Sequence, residues 1–236
     1  MALVDGLIQG SLVLVGGLIT ILTAIWVEQA RKPHLRINLA EPIDGICEGQ
    51  PPEAARWVNV QVVNEPPSRW LRWLSRQMAV QCRGTATFHH LDGQAYLDRA
   101  TQLRWSASPQ PIPSRLVAND GQVIAILVDY NRLTTDSWID IPPGEQGAVL
   151  NVAARIEDDS ECYPWSNESY LSSPRWRNPK WRLPPGRYLV KIAVVSLGEE
   201  CTAVFRLVND VPRQDFRLEL PQPGDRVRGG SLVTIS

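Results

Sequence analysis

From residue 35 to residue 220, segment after segment of the chain alternates apolar and polar residues with a period of two. "LRINL" (35–39) puts Leu35, Ile37 and Leu39 on one face, and "WVNVQVV" (57–63) groups Val58, Val60 and Val62. The same pattern recurs in "VQCRGTATF" (80–88), "LNVAARI" (150–156), "YLVKIAVV" (188–195), "CTAVFRL" (201–207) and "FRLEL" (216–220). Successive side chains of a strand point to opposite faces, so alternation predicts strands buried on one side only. Many such strands need a second sheet to cover the first. "VIAILV" (123–128) is apolar throughout and predicts a central strand, "WIDI" (138–141) a shorter one. Residues 187–196 and 201–209 predict a hairpin around "SLGEE". Nineteen prolines and sixteen glycines supply the turns. The expectation is a mainly β body over residues 35–221, an antiparallel β-sandwich of about nine strands. Alternation does not decide between one sandwich and two small ones.

The N-terminus has a different texture. From Gly6 to Val27 there are 22 residues without a charge. At helical rise they span about 33 Å, against a hydrocarbon core of about 30 Å. The run predicts a transmembrane helix at 6–27, after a short segment at 1–5 and before a basic juxtamembrane linker at 28–34. A cleaved signal peptide would start with a basic region and end at small residues; "MALVDG" has no Lys or Arg, and "ILTAIWV" ends in bulky ones. Basic residues occur only after the run, at Arg31, Lys32 and Arg36. The positive-inside rule then puts the body in the cytoplasm of a single-pass membrane protein with a signal anchor. Gly6-x-x-x-Gly10 would let the helix approach another closely. Residues 222–236 read as a C-terminal tail. Cys47, Cys82, Cys162 and Cys201 lack C-x-x-C spacing; they would be reduced in a cytosol and would suffice for two bridges outside it.

Residues 183–210, "LPPGRYLVKIAVVSLGEECTAVFRLVND", carry a Pro-Gly turn, an inward Tyr, an alternating strand, a short turn and a partner strand. This stretch resembles the last strands of immunoglobulin-like and fibronectin-type sandwiches. The whole layout, an N-terminal helix, then "RKPHLRI", then a strand-rich body, resembles uncharacterised prokaryotic single-pass membrane proteins. The resemblance implies an immunoglobulin-like β-sandwich and brings no activity with it.

Function classes can be narrowed. Lys plus Arg number 24 and Asp plus Glu 25, a formal net charge of -1, so no global field draws in nucleic acid. No G-x-S-x-G, P-loop, G-x-G-x-x-G or H-E-x-x-H motif occurs. His89 and His90 close a strand, with Asp92 in the next turn; adjacent strand residues face opposite ways, and zinc wants three or four ligands. Glu157, Asp158, Asp159 and Glu161 lack the alternating ligands of a calcium loop. No metal, no cofactor and no catalytic residue is expected, and the chain reads as a non-enzyme.

Two segments break the strand pattern by combining rings and cations. "SRWLRWLSR" (68–76) predicts a short helix with Arg69, Arg72 and Arg76 on one side and Trp70, Trp73 and Leu74 on another. Such a helix needs a surface to lie on, its own sandwich, a membrane or a partner. "PWSNESYLSSPRWRNPKWRLPPG" (164–186) brings Trp165, Tyr170, Arg175, Trp176, Arg177 and Trp181 into one loop. It is either a cap on the sandwich or a recognition loop of rings and cations. Asn167-Glu168-Ser169 matches a glycosylation sequon, which matters only in a secretory lumen. The expectation is a membrane-anchored, non-catalytic binding or scaffold protein that presents its sandwich at the cytoplasmic face for protein–protein interaction, with no nucleic-acid partner and no small-molecule substrate. The alternatives are an extracytoplasmic ligand-binding domain of reversed topology, and a metal-dependent hydrolase using His89, His90, Asp92 or the acids at 157–161.

Overall fold

In the computed structural model, the description runs from Ala2 to Asp225, apart from residues 48–51, 72, 109–113, 119–120, 128–137, 145, 173 and 198; of 2–15, 114–117, 123 and 126–127 the backbone alone is described. Helix α1 (Ala2–Arg31) precedes fourteen strands among the described residues. These are β1 (Leu35–Leu39), β2 (Ile43–Cys47), β3 (Glu53–Asn64), β4 (Ala79–His89), β5 (Thr101–Gln102), β6 (Arg104–Trp105) and β7 (Ser114–Val117). They continue with β8 (Val123–Leu127), β9 (Ile139–Ile141), β10 (Ala148–Ile156), β11 (Tyr163–Pro164), β12 (Arg187–Ser196), β13 (Glu199–Val208) and β14 (Arg217–Glu219). A short helix α2 (Asn167–Tyr170) and 3-10 turns at Arg69–Leu71, Pro179–Trp181 and Arg213–Asp215 lie between them.

The first sheet is ordered β1-β3-β10-β11, with β2 also on β3 and β6 on β10. Strand β3 is long enough to take two partners along one edge: β1 pairs from Leu39↔Val60 to Leu35↔Asn64, and β2 from Ile43↔Trp57 to Cys47↔Glu53. Pro42, which cannot donate to a ladder, sits at the break between them. The second sheet is ordered β14-β13-β12-β4-β5, with β9 also on β4. The β12–β13 hairpin pairs from Arg187↔Val208 to Ser196↔Glu199.

One core joins the two sheets. Val58, Val60, Val62, Leu150 and Val152 come from the first; Phe88, Val190, Ile192, Val194, Phe205 and Leu207 come from the second. At Gly84 the sheets lie close together: an added Cβ would meet Leu150 Cδ1 at 2.8 Å. Any larger residue there would have to displace the Leu150 side chain. Trp105 ties the sheets together, its Nε1 donating to Cys82 O at 3.1 Å. Tyr188 fixes the start of β12 through its hydroxyl, which donates to Pro184 O at 2.9 Å.

The strand predictions and their inward faces survive with local exceptions, whereas larger assignments change. The chain is a mixed α/β fold with several sheets. Among the described residues no helix is long and apolar enough to cross a membrane. The expected transmembrane helix at 6–27, and with it the single-pass anchor, the basic juxtamembrane linker, the cytoplasmic-face localisation and the reversed topology, is therefore corrected. Residues 6–15, including the Gly6-x-x-x-Gly10 pair, lie outside the described side chains. "VIAILV" is not a central strand: β8 pairs with β7 in a separate two-stranded sheet. The count of about nine strands is too low because short ladders such as β5, β6 and β11 are only two residues long and carry no alternation. Of the tail at 222–236, residues 226–236 lie outside the described residues.

Candidate docking site

The segment after β3 is built on Asn64, a fully buried amide. Its Oδ1 accepts from His34 N at 3.0 Å, and its Nδ2 donates to Gln77 O at 3.0 Å and Ile141 O at 3.2 Å. Glu65 N donates to His34 O at 2.8 Å, and Gln77 N donates to Arg31 O at 2.7 Å. The exit of α1, both ends of the 64–77 loop and the end of β9 thus converge on one side chain. Between these fixed ends, Pro66 and Pro67 extend the chain into the 3-10 turn at Arg69–Leu71. The backbone of Leu74 then closes on Leu71 O at 2.8 Å.

This tight path determines which side chains face out. Leu74 is 4% exposed, whereas Trp70 is 91% and Trp73 72% exposed. The expectation that the two rings share an apolar face with Leu74 is corrected, because one 3-10 turn replaces the expected two-turn helix. Arg69 is exposed and Arg76 half-buried; Arg72 lies outside the described residues. The same end carries exposed Met78 and Leu197, the latter through Leu197 N donating to Val80 O at 3.4 Å. Across the Gln77–Arg31 bond lie exposed Arg31 and Lys32 and the half-exposed Trp26 of α1. Two acids nearby are already engaged: Glu28 accepts from Gln77 Nε2, and Glu65 pairs with Arg36 at 3.1 Å.

The second ring-rich loop has the opposite arrangement. Trp165, Tyr170, Trp176 and Trp181 are all buried. Trp165, Tyr170 and Trp176 join Cys47, Ala55, Trp57, Ala154 and Ile156 in a second cluster, on the face of the first sheet turned away from the main core. Trp165 stacks on Trp176 at 3.6 Å between centroids, and Trp57 meets Trp165 edge-on at 5.3 Å. Ser166 caps α2 by accepting from Ser169 N at 3.1 Å. Trp176 has φ 65, a left-handed conformation unusual for a large side chain. Its N–H donates to Ser169 O at 2.6 Å, and the neighbouring Arg177 clamps the turn. Arg177 is bidentate to Glu53 at 2.8 and 3.0 Å and donates to Asp159 at 2.7 Å. These hydrogen bonds push its pKa further up, so it stays charged. Arg175 lies over the Tyr170 ring at 5.6 Å. Trp181 Nε1 donates to Glu168 at 2.8 Å, and Arg99 covers its ring at 4.9 Å.

His89, His90, Asp92, Asp159 and Glu161, considered for catalysis, each have partners within the chain. His89 Nε2 sits 2.9 Å from Thr87 Oγ1, and burial lowers its pKa. His90 meets Tyr96 edge-on, and Asp92 accepts from Gln94 N at 2.9 Å within its turn. Asp159 holds Arg177 and Glu161 pairs with Arg182 at 3.4 Å. Among the described residues no group of three His, Cys, Asp or Glu is placed to hold a metal ion. The four cysteines are free thiols. Burial pushes Cys47 up to about 12 and Cys82 up to about 11, and raises Cys162 and Cys201 as well, so all four are poor nucleophiles.

Sequence reasoning missed the Asn64 junction, whose only signal was an Asn at the end of a strand. No family model matches the chain, and no curated protein or solved structure matches it either. The resemblances to single-pass membrane proteins and to immunoglobulin-like sandwiches therefore name no family for it.

Proposed function

We propose that the chain is a non-catalytic protein-binding module that docks its partner through the end where α1, the 64–77 loop and the β12–β13 turn meet. The observation that carries this reading is the pair Trp70 and Trp73, held almost fully in solvent by a loop whose two ends are hydrogen-bonded in place. Exposed tryptophans on a fixed backbone are costly to leave in water and are the commonest anchors of protein interfaces. Arg31, Lys32 and Arg69 are exposed at the same end, while Glu28 and Glu65 are engaged within the chain. The matching surface is a protein face with apolar pockets and a rim of carboxylates.

The test is site-specific photo-crosslinking from Met78 in the source cells, comparing the parent with a Trp70→Ser/Trp73→Ser variant. A defined protein adduct that is lost in the variant is the expected result. Equal adduct yield in the variant, or retention on anionic lipid vesicles with no protein adduct, overturns the reading.

A further inference from the structure

On the far side of the first sheet, away from the docking end's tryptophans, lies an open cup of about 170 Å³ lined by Ile43, Trp57, Ser106, Ser108, Asn151 and Trp165. Its origin is local. A bulge in β10 between Asn151 and Ala153 breaks the regular register against β3 and leaves Asn151 opposite Asn59. Strand β6 ends at Trp105, and Ser106 N then donates to Val149 O at 2.8 Å, which brings Ser106 alongside β10. The edge-on pair Trp57 and Trp165 supplies the aromatic wall.

The lining chemistry is selective. Among the described residues that line the cup none is charged, so a phosphate, carboxylate or ammonium there would lose its water without a counter-charge from the lining. The polar groups are two hydroxyls and one carboxamide, each able to donate and to accept. Aromatic rings offer a negative face to weakly positive C–H groups. Of the wall residues, Trp57 has a buried Nε1 with no hydrogen-bond partner among the described residues. The volume is well below the roughly 300–1,000 Å³ of a drug-sized pocket, which limits the ligand to a single ring.

We infer that this cup binds one neutral sugar ring, a hexopyranose alone or at the end of a glycan. This inference goes beyond the docking reading and does not depend on it. The experiment is calorimetric titration of the full chain with methyl glucoside, methyl galactoside and N-acetylglucosamine, with glucuronate as the charged counterpart. Saturable millimolar binding of at least one neutral sugar is expected, about fivefold weaker after Asn151→Ala or Ser106→Ala, with melting unchanged in the exposed Ser106 variant. Trp57 is left intact because it belongs to the second core. No saturable heat with any neutral sugar, equal affinity in the Ser106 variant, or tighter binding of glucuronate overturns the inference.

Discussion

Two segments of this chain share one composition and meet opposite fates. Both residues 68–76 and residues 164–182 mix tryptophan with arginine. In the first, Trp70 and Trp73 stand in solvent; in the second, Trp165, Trp176 and Trp181 are buried. Reach explains the difference. The second segment belongs to a long connection that folds back over the outer face of the first sheet, where Trp57, Ala154 and Ile156 wait to be covered. The first is pinned at both ends by Asn64, and of its described side chains only Leu74 is buried. The arginines follow the rings: Arg177 is locked between Glu53 and Asp159, whereas Arg69 faces water. Ring-and-cation composition therefore identifies neither a core nor a recognition surface until the path of the chain is known.

The contrast can be broken by mutation. Trp176→Ala should cost the most, about 3–5 kcal/mol, because it empties the stack on Trp165; urea titration measures it. A loss below about 1 kcal/mol would mean that the second cluster is not a core. Arg177→Ala should cost about 2 kcal/mol by leaving Glu53 and Asp159 facing each other across a half-buried turn. Arg177→Lys should recover only part of that, since an ammonium cannot reproduce the bidentate fork.

Titration sharpens the same comparison at alkaline pH. The raised thiols of Cys47 and Cys82 stay protonated in the fold after their unfolded counterparts have ionised. Their contribution is complete below the unfolded value near about pH 8.5 and is lost as pH rises through about 11 to 12. Melting should fall over that window, and less steeply in Cys47→Ala, which lies in the second cluster. The smallest effect belongs to the docking end: Trp70→Ser with Trp73→Ser should change the urea midpoint by less than about 0.5 kcal/mol in stability. A loss comparable to that of Trp176→Ala would erase the distinction between the two loops.

Alternation made most of the sheets legible. Tyr188, Val190, Ile192 and Val194 were grouped correctly because a strand's facing is a local property. The limits appear where distant segments decide. Leu220 continues the pattern of "FRLEL" yet is exposed, because β14 ends at Glu219. Val80 falls out of its row because β4 breaks register between Ala79 and Cys82, with Gln81 at φ 54. The outer aromatic cluster was hidden because nothing in "WSNESYLSSPRW" states which sheet face it will cover. The membrane anchor was inferred from a run of uncharged residues alone, and among the described residues no helix is long and apolar enough to cross. Trp70 and Trp73 were singled out by sequence, but their outward facing follows from a 3-10 turn too short to register as periodicity.

The junction at Asn64 has a mechanical consequence. One amide grips the chain just after α1, the far end of the tryptophan loop and the end of β9. The far end of that loop is also tied to the helix exit, through Gln77 N donating to Arg31 O. Three segments distant in sequence therefore share a single anchor, and Asn64→Ala would release all three at once.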